Sequence, residues 1–191
     1  MPVPLKFLTS LFQSVTCRTA GFNTVDIGSL RENTLFMMIG LMFIGGSPGS
    51  IAGGIKTTTI GVILLLIINM FRGRRDLVIW ERSLGRDVIE KSATLVILAF
   101  LFITLCTFIL ISVSGFHGGS TFLPTLFEVT SAFGTVGLST GLTSETSSLG
   151  KAFMCVIMFV GRLGPLTLIL AFSSRKRHVN IQHPEEHVMV G

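Results

Sequence analysis

The chain has 191 residues, of which 49% are hydrophobic and only 13% charged, with a mean hydropathy of +0.73. Soluble domains carry about 25% charged residues, so this composition excludes an ordinary soluble domain and indicates a membrane protein surrounded by lipid. The net charge of +5 would suit nucleic acid, but the arginines cluster beside apolar spans, where the basic bias of cytoplasmic loops accounts for them with no nucleic-acid partner.

The first apolar stretch, about Leu5 to Val15, is too short to cross a bilayer and suits a re-entrant helix. It leads into Thr19-Ala20-Gly21-Phe22-Asn23-Thr24. A second apolar run, about Leu35 to Phe71, is too long for one straight crossing and is broken between Gly45 and Thr59. Five glycines and one proline lie within Gly45–Gly54, and such a segment cannot hold a regular helix. The connection over 72–92 mixes arginines with Asp76, Glu81, Asp87 and Glu90, which predicts a short amphipathic helix. Ala93 to Val113 follows, 21 residues without a charge, long enough at ~1.5 Å per residue to cross a core of roughly 30 Å. A second short apolar stretch, Phe122–Phe133, leads into Thr135-Val136-Gly137-Leu138-Ser139-Thr140. The last apolar run, Ala152 to Phe172, is interrupted by Arg162 and Gly164-Pro165, and a polar tail begins at Ser173.

Basic residues set the orientation. Arg72, Arg74, Arg75, Arg82, Arg86 and Lys91 crowd one connection, and Arg175, Lys176 and Arg177 crowd the tail. Both therefore face the cytoplasm, and the two Thr-x-Gly loops open outward. The expected layout is 1–71 as loop plus broken helix, 72–92 as cytoplasmic loop, 93–172 as helix, loop and helix, and 173–191 as cytoplasmic tail.

The two Thr-x-Gly loops stand 116 positions apart, and at the same offset Met42-Phe43-Ile44-Gly45 falls on Met158-Phe159-Val160-Gly161. A repeat that keeps register through a loop and the following helix is a duplicated unit. Thr-Val-Gly also opens the backbone-carbonyl filters that strip water from potassium ions. The expected fold is all-α, built of helix–pore-loop–helix repeats around one pore, with one repeat complete and one lacking its first helix. Two loops do not make a four-fold ring of carbonyls, so the chain reads as the C-terminal portion of something larger.

Thr19, Ala20, Gly21 and Phe22 are the candidate ion-binding residues of the first loop, and Thr135, Val136, Gly137 and Leu138 those of the second. The cation would be potassium, held by filter carbonyls. Glycine takes backbone angles that aim carbonyls at an axis, and the short helices point partly negative C-terminal ends at the cation. The broken segment, with Gly45, Gly46, Gly49, Gly53 and Gly54, is the candidate gate. Lys56 at its end either repels cations from a closed path or snorkels to the interface. Arg162, expensive at that depth, faces protein or water and either contacts the break, constricts the path or forms an ion pair. Arg18 and Glu128 are the expected structural pair behind the filter. His117, His178, His183 and His187 form no ligand set, and Cys17, Cys106 and Cys155 fit neither a metal spacing nor a disulfide framework.

Val15-Thr16-Cys17-Arg18-Thr19-Ala20-Gly21-Phe22-Asn23-Thr24, the run Phe43 to Thr59, and Gly161-Arg162-Leu163-Gly164-Pro165-Leu166-Thr167-Leu168 resemble the third and fourth repeats of the Trk/Ktr/HKT cation transporters. The similarity is greatest to the membrane subunit of bacterial Ktr systems. It covers nearly the whole chain, including Pro184-Glu185-Glu186. The resemblance implies four helix–pore-loop–helix repeats around one pore, a filter with one glycine per repeat and a gate loop in the third. It also implies a homodimer of the full-length protein on a cytosolic nucleotide-binding ring, in the plasma membrane. Two filter glycines, one of them replaced by serine in sodium-selective relatives, belong to repeats absent here. Rival readings are a secondary transporter with discontinuous helices and a truncated, modulatory membrane protein. No acid/base pair, metal spacing or nucleophile with a base supports an enzyme, and no organic cofactor is implied.

Overall fold

The computed structural model describes residues 2–73, 78–79, 82–114 and 122–164. They are mostly helical. In order come α1 (Val3–Thr16), a 3-10 turn (Ile27–Ser29), α2 (Glu32–Phe43), α3 (Thr57–Phe71), a ribbon of β1 (Val78–Ile79) and β2 (Arg82–Ser83), α4 (Arg86–Ser114), α5 (Phe122–Gly134), α6 (Leu142–Glu145) and α7 (Ser148–Leu163). Residues 165–172 of the last apolar run, the tail, all four histidines, and Arg74, Arg75, Asp76 and Glu81 lie outside the described residues.

The helix α5 is the central post. Its neighbours are α2, α4 and α7, and every residue from Phe127 to Gly134 is buried. On one side Val129, Ala132 and Phe133 pack with Ala99, Ile103, Cys106 and Leu110 of α4 and Met154 and Ile157 of α7. On the other, Phe127 joins Leu35, Met38 and Met42 of α2 together with Cys17 and Ile27. Both short helices carry proline in their first turn, Pro4 in α1 and Pro124 in α5, where the missing N–H breaks no helical bond.

Among the described residues α4 is the one helix long and apolar enough to cross a membrane, over Asp87–Val113. Its Ala99, Ile103, Cys106 and Leu110 form a buried stripe at helical spacing, while Ile97, Phe100, Leu101, Leu105 and Phe108 are exposed on the opposite side. An apolar helix only 28% buried over its most hydrophobic window needs a nonpolar solvent on its outer face, and lipid supplies one. Among the described residues the short amphipathic helix expected between 72 and 92 is not a separate element. Nothing between Lys91 and Ala93 breaks a helix, so the charged turn from Asp87 to Lys91 extends α4 itself, to 29 residues.

The broken second run ends and restarts as two helices. Serine before proline is disfavoured in α conformation, and Ser47-Pro48-Gly49-Ser50 makes a turn with Gly49 at φ +83° and Ser50 N–H donating to Ser47 O at 3.1 Å. Proline second and a positive-φ glycine third are the requirements of a type II turn. The break is also shorter than expected, because Thr57, Thr58 and Thr59 already form the first turn of α3.

The candidate ion pathway

The loops after α1 and α5 have one backbone design. Thr19 and Thr135 both lie at positive φ (64° and 53°), as do Gly21 and Gly137 (74° and 89°). Positive φ in a β-branched residue is uncommon and must be held by its surroundings, so its occurrence at both threonines of a 116-residue repeat is a conformational match. A hydroxyl near the end of each short helix reaches over its loop. Thr16 donates to Phe22 O at 2.5 Å, and Ser131 donates to Leu138 O at 2.6 Å.

These two bonds divide the candidate residues. The Phe22 and Leu138 carbonyls are turned back onto their own helices. Among the described residues no hydrogen bond ends on the carbonyls of Thr19, Ala20, Gly21, Thr135, Val136 or Gly137. Ala20 and Gly137 are exposed and Thr19, Gly21 and Thr135 half-buried, so the three carbonyls in each loop form an accessible polar surface. The loops touch: a Cβ on Gly21 would lie 2.5 Å from Val136 O, and one on Gly137 would lie 3.8 Å from Gly21 Cα.

The break from Ile44 to Lys56 folds against the second loop. Gly45 N–H donates to Ile55 O at 2.7 Å and Thr57 N–H to Gly46 O at 3.1 Å, which closes the break at its base. Its returning arm, Ala52 to Ile55, is buried, and its outgoing arm, Ser47 to Ile51, is exposed. Gly53 N–H donates to Thr135 Oγ1 at 3.0 Å, and a Cβ on Gly53 would lie 2.8 Å from the Thr135 side chain and 3.0 Å from Phe133 O. Only glycine permits that approach.

Lys56 makes a contact that neither expected role named. Its Nζ donates to Ser50 O at 3.0 Å and Ala52 O at 2.7 Å, so its charge ties the break together. Helix α7 is capped by Gly164, so Arg162 occupies its last turn, where the helix dipole favours a cation. It is exposed and lines a 690 Å³ cavity with Thr135, Gly137, Leu138 and Met158. No hydrogen bond joins it to the break among the described residues.

The expected Arg18–Glu128 pair does not form. Arg18 is exposed. Glu128 is buried in α5 and accepts from Ser139 Oγ (2.7 Å), Thr140 N (2.7 Å), Thr140 Oγ1 (2.9 Å) and Thr143 Oγ1 (2.6 Å). Three hydroxyls and an amide N–H occupy the acceptor sites of this buried side chain, so its hydrogen-bonding capacity is met without Arg18. The run Ser139, Thr140, Thr143 was the available signal, since the loop doubles back along the helix that bears the acid. Thr16 and Ser131 were likewise missed, though each is a hydroxyl just before a Thr-x-Gly loop.

A family model described as TrkH, cation transport protein, matches residues 1–181. The chain is 42% identical over 186 residues to the Ktr system potassium uptake protein B of Bacillus subtilis and 40% identical over 182 residues to the Ktr system potassium uptake protein D of the same strain. It is 34% identical over 193 residues to a potassium/sodium uptake protein of Enterococcus hirae. These alignments cover 97%, 95% and 97% of this chain and 41%, 40% and 42% of the relatives, so the chain spans about two fifths of their length. With a family match that runs almost from end to end, the chain belongs to the TrkH cation transport protein family.

Proposed function

We propose that this chain carries two of the four filter loops, and the gate, of a potassium uptake protein of the plasma membrane. The observation that carries the reading is the matched pair of loops: positive φ at Thr19 and Gly21 and again at Thr135 and Gly137, with three unpaired carbonyls in each. Such carbonyls replace the hydration shell of a cation. The C-terminal ends of α1 and α5 adjoin the loops, and their partial negative charge favours the same sign. Thr19 to Gly21 and Thr135 to Gly137 provide the ligands, and Phe22 and Leu138 hold the loops to their helices.

The break from Ile44 to Lys56 is the gate. Its buried arm rests on Thr135, and its own lysine latches it. Arg162 stands beside the path in the cavity that Thr135 and Gly137 also line and adds a fixed positive charge there. A secondary transporter's substrate site at this level would need free polar groups, but Lys56 is taken up by Ser50 and Ala52 and the Glu128 carboxylate by Ser139, Thr140 and Thr143. Potassium is the transported substrate. The complete protein would carry two further repeats, work as a homodimer on a cytosolic nucleotide-binding ring, and keep its C-terminus in the cytoplasm.

The test is complementation. The complete protein expressed in bacteria stripped of their own potassium uptake should restore growth at low potassium and show saturable potassium uptake. A protein that inserts normally yet moves no potassium would instead support the modulatory reading.

A further inference from the structure

We infer that Glu128 is a positioning residue for ion discrimination: its buried carboxylate straps the segment after the second loop to α5 and thereby fixes the Thr135–Gly137 carbonyls. The inference rests on the reading of that loop as filter.

The loop is tied at both ends to one helix. At its inner end Thr135 N–H donates to Ala132 O at 3.1 Å and Val136 N–H to Ser131 O at 2.9 Å. At its outer end Ser131 Oγ holds Leu138 O, and then the four bonds to Glu128 hold Ser139, Thr140 and Thr143. The three free carbonyls lie between these clamps. Without the carboxylate, Ser139, Thr140 and Thr143 lose the four bonds that tie them to α5, and the Ser131 hydroxyl holds Leu138 alone. Where discrimination depends on how carbonyls replace a cation's hydration shell, loosening those carbonyls lowers it.

The strap is built in one copy only. At the 116-residue offset Glu128 corresponds to Phe12, and Ser139, Thr140 and Thr143 correspond to Asn23, Thr24 and Ile27. The first copy instead makes a local turn, with Asp26 Oδ1 accepting from Gly28 N–H at 3.1 Å. That turn leans on the strapped segment, because a Cβ on Gly28 would lie 2.8 Å from Thr140 O. Glu128 therefore steadies the outer ends of both loops from a position behind them.

Substitution chemistry separates bracing from charge. Glutamine keeps an oxygen for Ser139 and Thr140 and places its amide toward Thr143, whose hydroxyl rotates to accept. It preserves the strap and removes the charge. Alanine removes both and leaves Thr140 N–H without its acceptor.

The experiment measures potassium and sodium uptake by the complete transporter in proteoliposomes, for wild type, Glu128→Gln, Glu128→Ala, the double variant Ser139→Ala/Thr143→Val, and Gly137→Ser as a control on the filter. The expected result is potassium preference within about twofold of wild type for Glu128→Gln and a loss of about tenfold for Glu128→Ala, the value of one lost buried hydrogen bond or more. The loss should fall on the half-saturating potassium concentration more than on the maximal rate. The double variant leaves α5 intact and should lower the preference in the same sense, which decides the matter if Glu128→Ala fails to insert. Wild-type preference in an inserted Glu128→Ala or in the double variant overturns the inference. So does an equal loss in Glu128→Gln, which would make charge, not bracing, the operative property. If Gly137→Ser lowers the preference and the Glu128 variants do not, the filter reading stands and only this inference falls; if Gly137→Ser also changes nothing, the filter reading falls with it.

Discussion

The backbone N–H of Gly53 donates to the side-chain hydroxyl of Thr135 at 3.0 Å, across 82 residues of sequence. This bond joins the glycine-rich break to the loop that bears three unpaired carbonyls, so a displacement of one is felt by the other. The equivalent hydroxyl in the first copy, Thr19 Oγ1, bonds its own neighbour Arg18 O. Only the second loop is tied to the break in this way.

Thr135→Val keeps the shape of the side chain but gives Gly53 N–H no acceptor. An unsatisfied buried N–H costs about 1–3 kcal/mol, so the closed break weakens and the uptake rate at saturating potassium rises. Thr135→Ser, which keeps the hydroxyl, should restore the wild-type rate. Tracer flux in proteoliposomes reads the difference, and equal rates for valine and wild type would disconnect the bond from gating.

Lys56→Met keeps the apolar stem and removes two charge-assisted bonds, to Ser50 O and Ala52 O. Bonds to charged groups contribute about 1.5–3 kcal/mol. The latch loosens, and the expected phenotype is faster uptake and greater protease sensitivity of the Ser47–Ile51 arm. An unchanged cleavage pattern would show that the lysine does not hold the break.

Gly161→Ala should reduce the amount of inserted protein. A Cβ on Gly161 would overlap Phe133 O, and its repeat partner Gly45 meets Gly53 O in the same way. Overpacking costs about 1–3 kcal/mol, here at the contact of α7 with the end of α5. Detergent-solubilised Gly161→Ala should melt several degrees lower; a wild-type melting temperature would show that the helices separate freely.

Arg162→Ala removes the positive charge from the cavity beside Thr135 and Gly137. Maximal flux should increase several-fold while potassium preference stays as in wild type. Arg162→Lys keeps the charge without the planar fork and should fall between the two. Wild-type flux in the alanine variant would assign Arg162 to structure alone.

Much of this architecture is legible in the sequence because its signals are strong and local. Lengths of apolar runs separate α4 from the short α1 and α5, and Pro48 with its glycines marks the break. The repeat offset pairs Thr19 with Thr135 and Gly21 with Gly137 before any coordinates. What the sequence leaves unreadable is the choice among partners of the same chemistry. A buried acid calls for donors, but nothing local says that Glu128 takes Ser139, Thr140 and Thr143 and leaves Arg18 exposed. A lysine after a glycine-rich segment is equally suited to water, to lipid headgroups or to carbonyls of its own loop. For Arg162 the sequence marks the interruption at Gly164-Pro165, and the structure caps α7 at Gly164, but which of its three expected roles it plays is not written in the local pattern.

The central claim is that the two matched loops are ion filters, and the most direct measurement is competition of sodium against potassium uptake by the complete protein bearing Gly21→Ser or Gly137→Ser. A side chain on Gly21 meets Val136 O, so serine there must move a carbonyl, and serine at Gly137 puts a Cβ on a positive-φ backbone beside Gly21 and strains it. The account predicts that each variant inserts and that potassium affinity falls while sodium competes better. Unchanged potassium affinity and unchanged sodium competition in both inserted variants would contradict it.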